Sequence, residues 1–336
     1  MPTINSAAGT TTYGDIGQRT AAWAAVEMLS HAAPVLCIQK FGMTKPIPAN
    51  KADNAKFRRP IPYGPATVPL VEGITPSPQK AQYEDVPVQL KQYGAYVEIT
   101  DQVMDMSEDP VLKDQTQLCG EQAAATMEQV TFGALIAGTS VFYTNGSVRS
   151  SVNTALGLSK QRAVTRFLMA QKAMRISSIL DGSPNYMTRP IEQAWIAVGH
   201  TDLDNDIRNL AGFIPTASYG SRSLVSDYEV GSIEQIRYVL TPEMPTWADA
   251  GGAKGSMMST SGTSADVYPL LVLGKEAFGC VPLKGKGAIT PQVVNPKPAA
   301  GDPLGQRGTV GWKAYFAAVI LNQQWMARVE TAATAL

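Results

Sequence analysis

The sequence predicts an α+β fold in which a long two-stranded excursion and an unusually long helix stand beside several short strands. Three observations carry that expectation. Prolines crowd residues 41–98, at Pro46, Pro48, Pro60, Pro62, Pro65, Pro69, Pro76, Pro78 and Pro87, which forbids helix and disfavours central strands there. A proline-free stretch then runs from Val111 to Gly138, with the helix-favouring Ala123–Ala125 in its middle. Beyond it, short apolar runs separated by Gly, Pro and Ser clusters read mostly as strands. The 336 residues suffice for two packed units, yet only 17% are charged, against roughly 25% in ordinary soluble domains. Much of the surface is therefore suited to burial against something, and self-association is the simplest choice.

Taken in order, residues 1–40 form a small polar arm. A short helical candidate with Trp23, Val26, Met28 and Leu29 is stopped by Pro34. Such an arm buries little of itself and reads as an extension lying on a neighbour, or as a disordered tail. In residues 41–98, Ala55–Arg59 rises as a strand and Val86–Ile99 returns, around an irregular tip near 63–82. Val88, Leu90, Gln92 and then Ala95, Val97, Ile99 alternate with period two, broken by Gly94. An isolated two-stranded ribbon is marginal in water, so this one needs a surface to lie on.

Ser107, Asp109 and Pro110 signal the start of a helix over 109–138, about 40 Å long. Leu112, Cys119, Ala123, Met127, Val130, Ala134 and Ala137 make its apolar stripe. Lys113, Asp114, Gln117, Glu121 and Glu128 make its polar faces. A second helix is predicted over Ser159–Ser177, with Val164, Phe167 and Leu168 inward and Lys172 and Arg175 near its C-terminal dipole. Strands follow at Gln193–Val198, Ile233–Leu240 and Tyr268–Leu273, with a short helix over Asp202–Leu210. A Gly/Ser/Thr/Met loop spans 241–266, long enough to suggest exposure or mobility, and 284–309 is rich in Pro and Gly. The run Trp312–Thr331 closes the chain as a strand. There Leu321, Gln323, Trp325, Ala327 and Val329 share one face, and Asn322, Gln324, Met326, Arg328 and Glu330 the other, which is wet or meets a neighbour.

Chemistry is sparse. Lys plus Arg and Asp plus Glu number 28 each, a net charge of zero, which argues against electrostatic gripping of nucleic acid but not against a wall that faces it. No apolar run approaches the ~20 residues of a membrane helix, and Met1–Gly17 lacks the basic start and apolar centre of a signal peptide. Cys37, Cys119 and Cys280 are odd in number and widely spaced, so they read as buried, reduced residues folded in a reducing cytoplasm. Neither histidine, His31 or His200, has metal-ligand spacing, and Thr201 or Asp202 reads as a helix cap after His200. No nucleophile elbow or Walker loop is present. Lys284-Gly285-Lys286-Gly287 lacks the Ser/Thr helix of a phosphate loop and reads as a solvated turn. Asp202, Asp204 and Asp206 lack the glycine and terminal glutamate of a calcium loop. No catalytic, cofactor or metal residue is expected.

A series of motifs resembles one family. Lys40-Phe41-Gly42 with Lys45-Pro46-Ile47-Pro48 looks like the opening of the extended loop in podovirus-type major capsid proteins of tailed bacteriophages. Lys56-Phe57-Arg58-Arg59 resembles that loop's ascending strand. Leu70-Val71-Glu72-Gly73-Ile74-Thr75-Pro76 resembles its tip, and the stretch from Leu90 to Asp101 its descending strand. Glu108-Asp109-Pro110-Val111-Leu112 is similar to the entry of the family's spine helix. Gly231 to Tyr238 and Val272 to Gly279 look like axial-domain segments. The motifs keep the family's order, and Leu90–Asp101 is the most specific.

The resemblance implies the Hong Kong 97-like fold. Its parts are an N-terminal arm (1–40), an extended β-hairpin loop (41–98), a peripheral domain (99–190) with the spine helix at 109–138, an axial domain (191–310), and a return strand of the peripheral domain (311–336). It implies hexamers and pentamers that build an icosahedral head shell, assembled in the host bacterial cytoplasm. The shell would enclose double-stranded DNA faced non-specifically, with portal, scaffolding or decoration proteins as further partners and no membrane. Phe57, Arg58, Arg59, Leu70, Val71 and Glu72 are the candidate intersubunit contacts. The loop 241–266 matches no family segment, and no Lys–Asn cross-linking pair is identified. A nanocompartment shell of the encapsulin type is the nearest alternative, and a hydrolase using Asp202 or Asp204 a distant one. Two corollaries are that no N-terminal scaffolding domain is cleaved and that the shell needs no disulfides.

Overall fold

A computed structural model describes residues 23, 26–28, 30–32, 35–48, 53–70, 72–73, 75–106, 110–180, 188–220, 222–284, 290–296, 298 and 303–336. Its first half carries β1 (Met43–Thr44), β2 (Ile47–Pro48), β3 (Asn54–Pro60), β4 (Tyr83–Gln89), β5 (Lys91–Thr100), helix α1 (Asp101–Met106), the long α2 (Val111–Ile136), β6 (Val141–Tyr143), α3 (Leu158–Ala170) and β7 (Ile176–Leu180). Its second half carries β8 (Thr188–Gly199), α4 (Asp204–Arg208), β9 (Ile214–Pro215), β10 (Glu229–Ile233), β11 (Ile236–Leu240), β12 (Tyr268–Leu273), β13 (Phe278–Lys284), β14 (Thr290–Val294), β15 (Arg307–Ile320) and β16 (Met326–Thr331).

These strands form two sheets and a ribbon. One sheet runs β1-β13-β15-β14, with β2 also on β13 and β5 also on β15. The other runs β6-β16-β12-β8-β11-β10-β9, with β7 on β8. The ribbon is β3 with β4 alone, antiparallel, Arg58 opposite Asp85 and Phe57 opposite Val86.

Helix α2 lies on β15: Cys119, Ala123, Ala124 and Met127 pack against Val310, Trp312 and Ala314. Small residues let helix and sheet approach closely. At Gly120 a Cβ would come within 2.5 Å of the carbonyl oxygen of Met28, so the glycine is what lets the N-terminal segment press on the helix. Farther along, Phe132 and Leu135 join Ile38, Phe41 and Phe278 in another core. Covered by sheet and N-terminal segment together, α2 buries more than one stripe.

Several expectations are corrected. Helix α2 starts at Val111, with Pro110 as an N-cap that offers no capping side chain; Ser107 and Asp109 lie outside the described residues. Of the expected stripe, Cys119, Ala123 and Met127 are buried, while Ala137 is exposed and Leu112, Val130 and Ala134 are half-buried. Glu128, assigned to a polar face, is fully buried. Helix α3 ends at Ala170 because Lys172 turns left-handed (φ 53°) and the Ala173 N–H bonds the Leu168 carbonyl at 2.9 Å. Lys172 and Arg175 therefore lie beyond it, and Phe167 is half-buried.

The expected Ile233–Leu240 strand is interrupted at Glu234 (φ 53°), where a hairpin turns: Ile233 ends β10 and pairs with Ile236, and only Ile236–Leu240 forms β11. The predicted returning strand is two strands: Leu90 donates to the Asp53 carbonyl at 2.9 Å as the last rung beside the ribbon, and β5 then crosses to β15. Gly94 stays inside β5, where a Cβ would meet the Trp312 oxygen at 2.8 Å. The closing run is likewise β15, a short 3-10 turn (Gln323–Trp325) and β16, a central strand between β12 and β6 whose side chains enter two cores, Met326 with Phe132 and Leu271, and Ala327 and Val329 with Trp195 and Leu270. The loop 241–266 is tied down. Asp266 accepts the Asp249 N–H at 2.7 Å and the Thr260 hydroxyl at 2.8 Å, and Trp247 bridges to Val267.

Candidate intersubunit surface

The ribbon is built in three zones. At its root, β3 alternates, turning Ala55 and Phe57 inward and Lys56 and Arg58 outward. Phe57 and Ala55 pack with Ile47 and Val281, flanked by Val86, Val88 and Leu321. A Cβ on Gly279 would come within 2.8 Å of the Phe57 ring. Phe57, expected against a neighbour, is instead 6% exposed and anchors the ribbon to its own sheet. The Lys45 ammonium lies 5.4 Å from the ring centre.

The middle zone carries charge. Arg58 grips Asp85 with a two-pronged pair at 2.8 and 3.1 Å, and Arg59 bonds Glu84. Arg58 also lies 5.7 Å from the Tyr83 ring centre. The hydrogen bond from Arg58 holds the Asp85 carboxyl below its ordinary value. Both arginines are thus paired across the ribbon, with outer surface still free.

The outer zone has no internal cover. Among the described residues from Ile61 to Gln82 no helix or strand forms. Tyr63 is exposed, as are Val68 at 82% and Leu70 at 77%. Glu72 is also exposed. Val71 lies outside the described residues.

The other polar clusters have structural partners. His200, rather than Thr201 or Asp202, caps the following turn, its Nδ1 accepting the Asp202 N–H at 3.2 Å. Asp204 pairs with Arg208 at 2.8 Å and Asp206 accepts the Thr334 N–H at 2.8 Å. His31 meets Glu121. Cys37, Cys119 and Cys280 are free and buried, and burial pushes the Cys37 and Cys280 thiols up to about 12. Among the described residues no His/Cys/Asp/Glu group could hold a metal ion, and no helix is long and apolar enough to cross a membrane. Gly285–Gly287 lie outside the described residues.

Residues 83–330, from the ribbon's second strand to the last strand of the second sheet, match the family model described as phage capsid protein. The chain belongs to that family. This capsid protein is also 28% identical over 130 residues to the major capsid protein of Pseudomonas phage KPP21, a match spanning 36% of this chain and 33% of that one. The capsid of Ralstonia phage GP4 superposes with a TM-score of 0.65 at 12% identity, covering 89% of this chain and 90% of that one. The capsid of Cyanophage Pam1 gives 0.60 at 13% identity, over 92% and 93%. The fold is the Hong Kong 97-like capsid fold that the ordered motifs implied.

Proposed function

We propose that this capsid protein assembles into the hexamers and pentamers of an icosahedral phage head and encloses double-stranded DNA. The observation that carries the reading is the ribbon's outer zone, with Val68 and Leu70 bare to solvent in a single chain. Exposed apolar residues gathered on one projecting element suit an interface. Obligate contacts of this kind bury ~2,000–5,000 Å², ample to cover that zone. Leu70, Val71 and Glu72 at the tip, with the outer edges of Arg58 and Arg59, are the proposed contacts. Phe57 supports them from within.

The proposed parts are arm 1–40, extended loop 41–98, peripheral domain 99–190, axial domain 191–310 and a returning segment 311–336 that carries most of β15 and all of β16. Zero net charge suits a wall that faces DNA without gripping it. Portal, scaffolding and decoration proteins are the further partners, the virion is the destination, host cytoplasm is the place of assembly, and no catalysis is assigned. Electron microscopy of purified full-length protein tests the reading. Closed isometric particles are expected, and particles from phage-producing cells should hold double-stranded DNA. Protein that stays monomeric under all assembly conditions, or particles loaded with an enzyme instead of DNA, would overturn it.

A further inference from the structure

Glu128 stands in α2 with no exposed surface. Its carboxylate accepts the N–H of Cys37 at 2.9 Å and the N–H of Ile38 at 3.2 Å to each oxygen, and the Gln39 N–H also points to it. These are the free donors at the start of the 3-10 turn Ile38–Phe41, whose own N-cap, Cys37, offers no capping side chain. The cap is therefore delivered by another element. The turn runs directly into β1 and β2, which pair with β13, and Ile47 of β2 sits in the apolar cluster with Phe57 at the ribbon's root. One carboxylate thus ties the long helix to the segment from which the ribbon springs.

Among the described residues no Lys, Arg or His forms an ion pair with Glu128. The titratable groups that face it are Cys37 at the head of the turn, Tyr228 ahead of β10, Glu243 beyond β11 and Cys280 on β13, while Lys40 on the turn acts on Cys37. Lys40 makes no ion pair with Glu128, and Glu243 is a like charge. Burial raises the carboxyl to about 7, against the pull of the three backbone donors, and Glu243 adds to the rise.

We propose that Glu128 is a proton-controlled latch, which in its neutral form holds the Cys37–Phe41 turn and the ribbon's root against α2 and in its ionised form lets them loosen. A neutral carboxyl keeps a carbonyl oxygen for the backbone donors and sheds the cost of burying an unpaired charge. The sign follows from linkage. The docked carboxyl titrates near 7 and an exposed one near 4.5, so the docked state binds the proton more tightly. Acidification tightens the joint, and the gain is lost as pH rises through 7. Across that window the docked-to-open ratio changes on the order of a hundredfold.

The latch lies within one chain, so it is measurable on free subunits and stands or falls apart from shell assembly. Amide hydrogen exchange of residues 36–44 in the full chain, corrected for intrinsic exchange, is followed from about pH 5.5 to about pH 8.5. Protection of Cys37, Ile38 and Gln39 is expected to fall by at least about tenfold across that range. Glu128→Gln, which keeps the acceptor and has no proton to lose, should flatten the profile. A flat profile in the unaltered chain, or an unchanged transition in Glu128→Gln, would overturn the proposal. Should Glu128→Gln fail to fold, infrared spectra of the unaltered chain with isotope-labelled glutamate decide. A neutral buried carboxyl band present at the acid end and gone at the alkaline end supports the latch, and its absence at the acid end sinks it.

Discussion

The Glu330 side chain has no exposed surface and is held between two arginines. Arg149 reaches it with a fork at 2.7 and 2.8 Å, and Arg328 Nε lies 3.1 Å away. The Arg149 guanidinium stacks 3.5 Å from the centre of the Trp247 ring, and Arg328 also donates to the Ile136 carbonyl at the end of α2. Helix, loop 241–266 and β16 meet at this carboxylate. Removing one partner from a buried pair leaves a charge uncompensated. Arg149→Ala should therefore lower unfolding stability by about 3 kcal/mol in chemical denaturation. Arg149→Lys should restore only part, since an ammonium cannot replace the fork. A loss below about 0.5 kcal/mol would mean that Arg328 alone neutralises the site. None of this was legible in the sequence. Arg328 and Glu330 alternate as on a wetted strand face, and nothing local records that β16 lies between β12 and β6. Glu128 was misread for the same reason, because the segment that covers it lies some ninety residues away.

At the scale of the element, the ribbon was legible through its prolines and its two-residue alternation. Its limits were not. Val86, Val88 and Leu90 turn toward Phe57 at the ribbon's root, whereas Tyr93, Ala95 and Ile99 turn toward α2, so the inward set shifts by one residue where the chain leaves β3 for β15, a shift that reads in the sequence only as a lapse in one strand's alternation. Phe57 likewise reads as any outward aromatic until Val281 and Gly279 are brought beneath it. Arg58 and Arg59 face two ways, toward Asp85 and Glu84 across the ribbon and outward to solvent where a neighbour would lie. Charge reversal separates the two. Arg58→Glu with Arg59→Glu sets like charges opposite each other, a modest penalty at an exposed site. Circular dichroism should show a folded, soluble subunit, and sedimentation should show no closed shells. Adding Asp85→Arg and Glu84→Arg restores opposite charges within the ribbon but inverts the pattern a neighbour meets. Shells are expected to remain absent in this fourfold variant. Recovery would assign the charges to ribbon register alone.

For the whole molecule, the ordered motifs carried the capsid fold because each is a local signature, while the surfaces that join subunits are properties of two chains. The outer zone of the ribbon tests the link between them. Ile61 donates to the Gln82 carbonyl at 2.9 Å and so closes the ribbon; beyond that bond the described residues form no regular structure. Tyr63 and Lys80 stand exposed there, offering chymotrypsin and trypsin their preferred side chains on backbone that opens at little cost. In the free subunit both enzymes should cut first between Ile61 and Gln82, leaving the two sheets intact. In closed shells the same segment would lie under a neighbour, with Val68 and Leu70 withdrawn from water. A protease needs several extended residues in its cleft, so even partial cover should slow cleavage at least about tenfold, as far as the population of open segment falls. The comparison is made on one preparation, before and after assembly, with cut sites read by mass spectrometry. Equal rates in the two states would show that the ribbon remains free in the shell, and the cohesion of the capsid would then have to come from the faces of its two sheets.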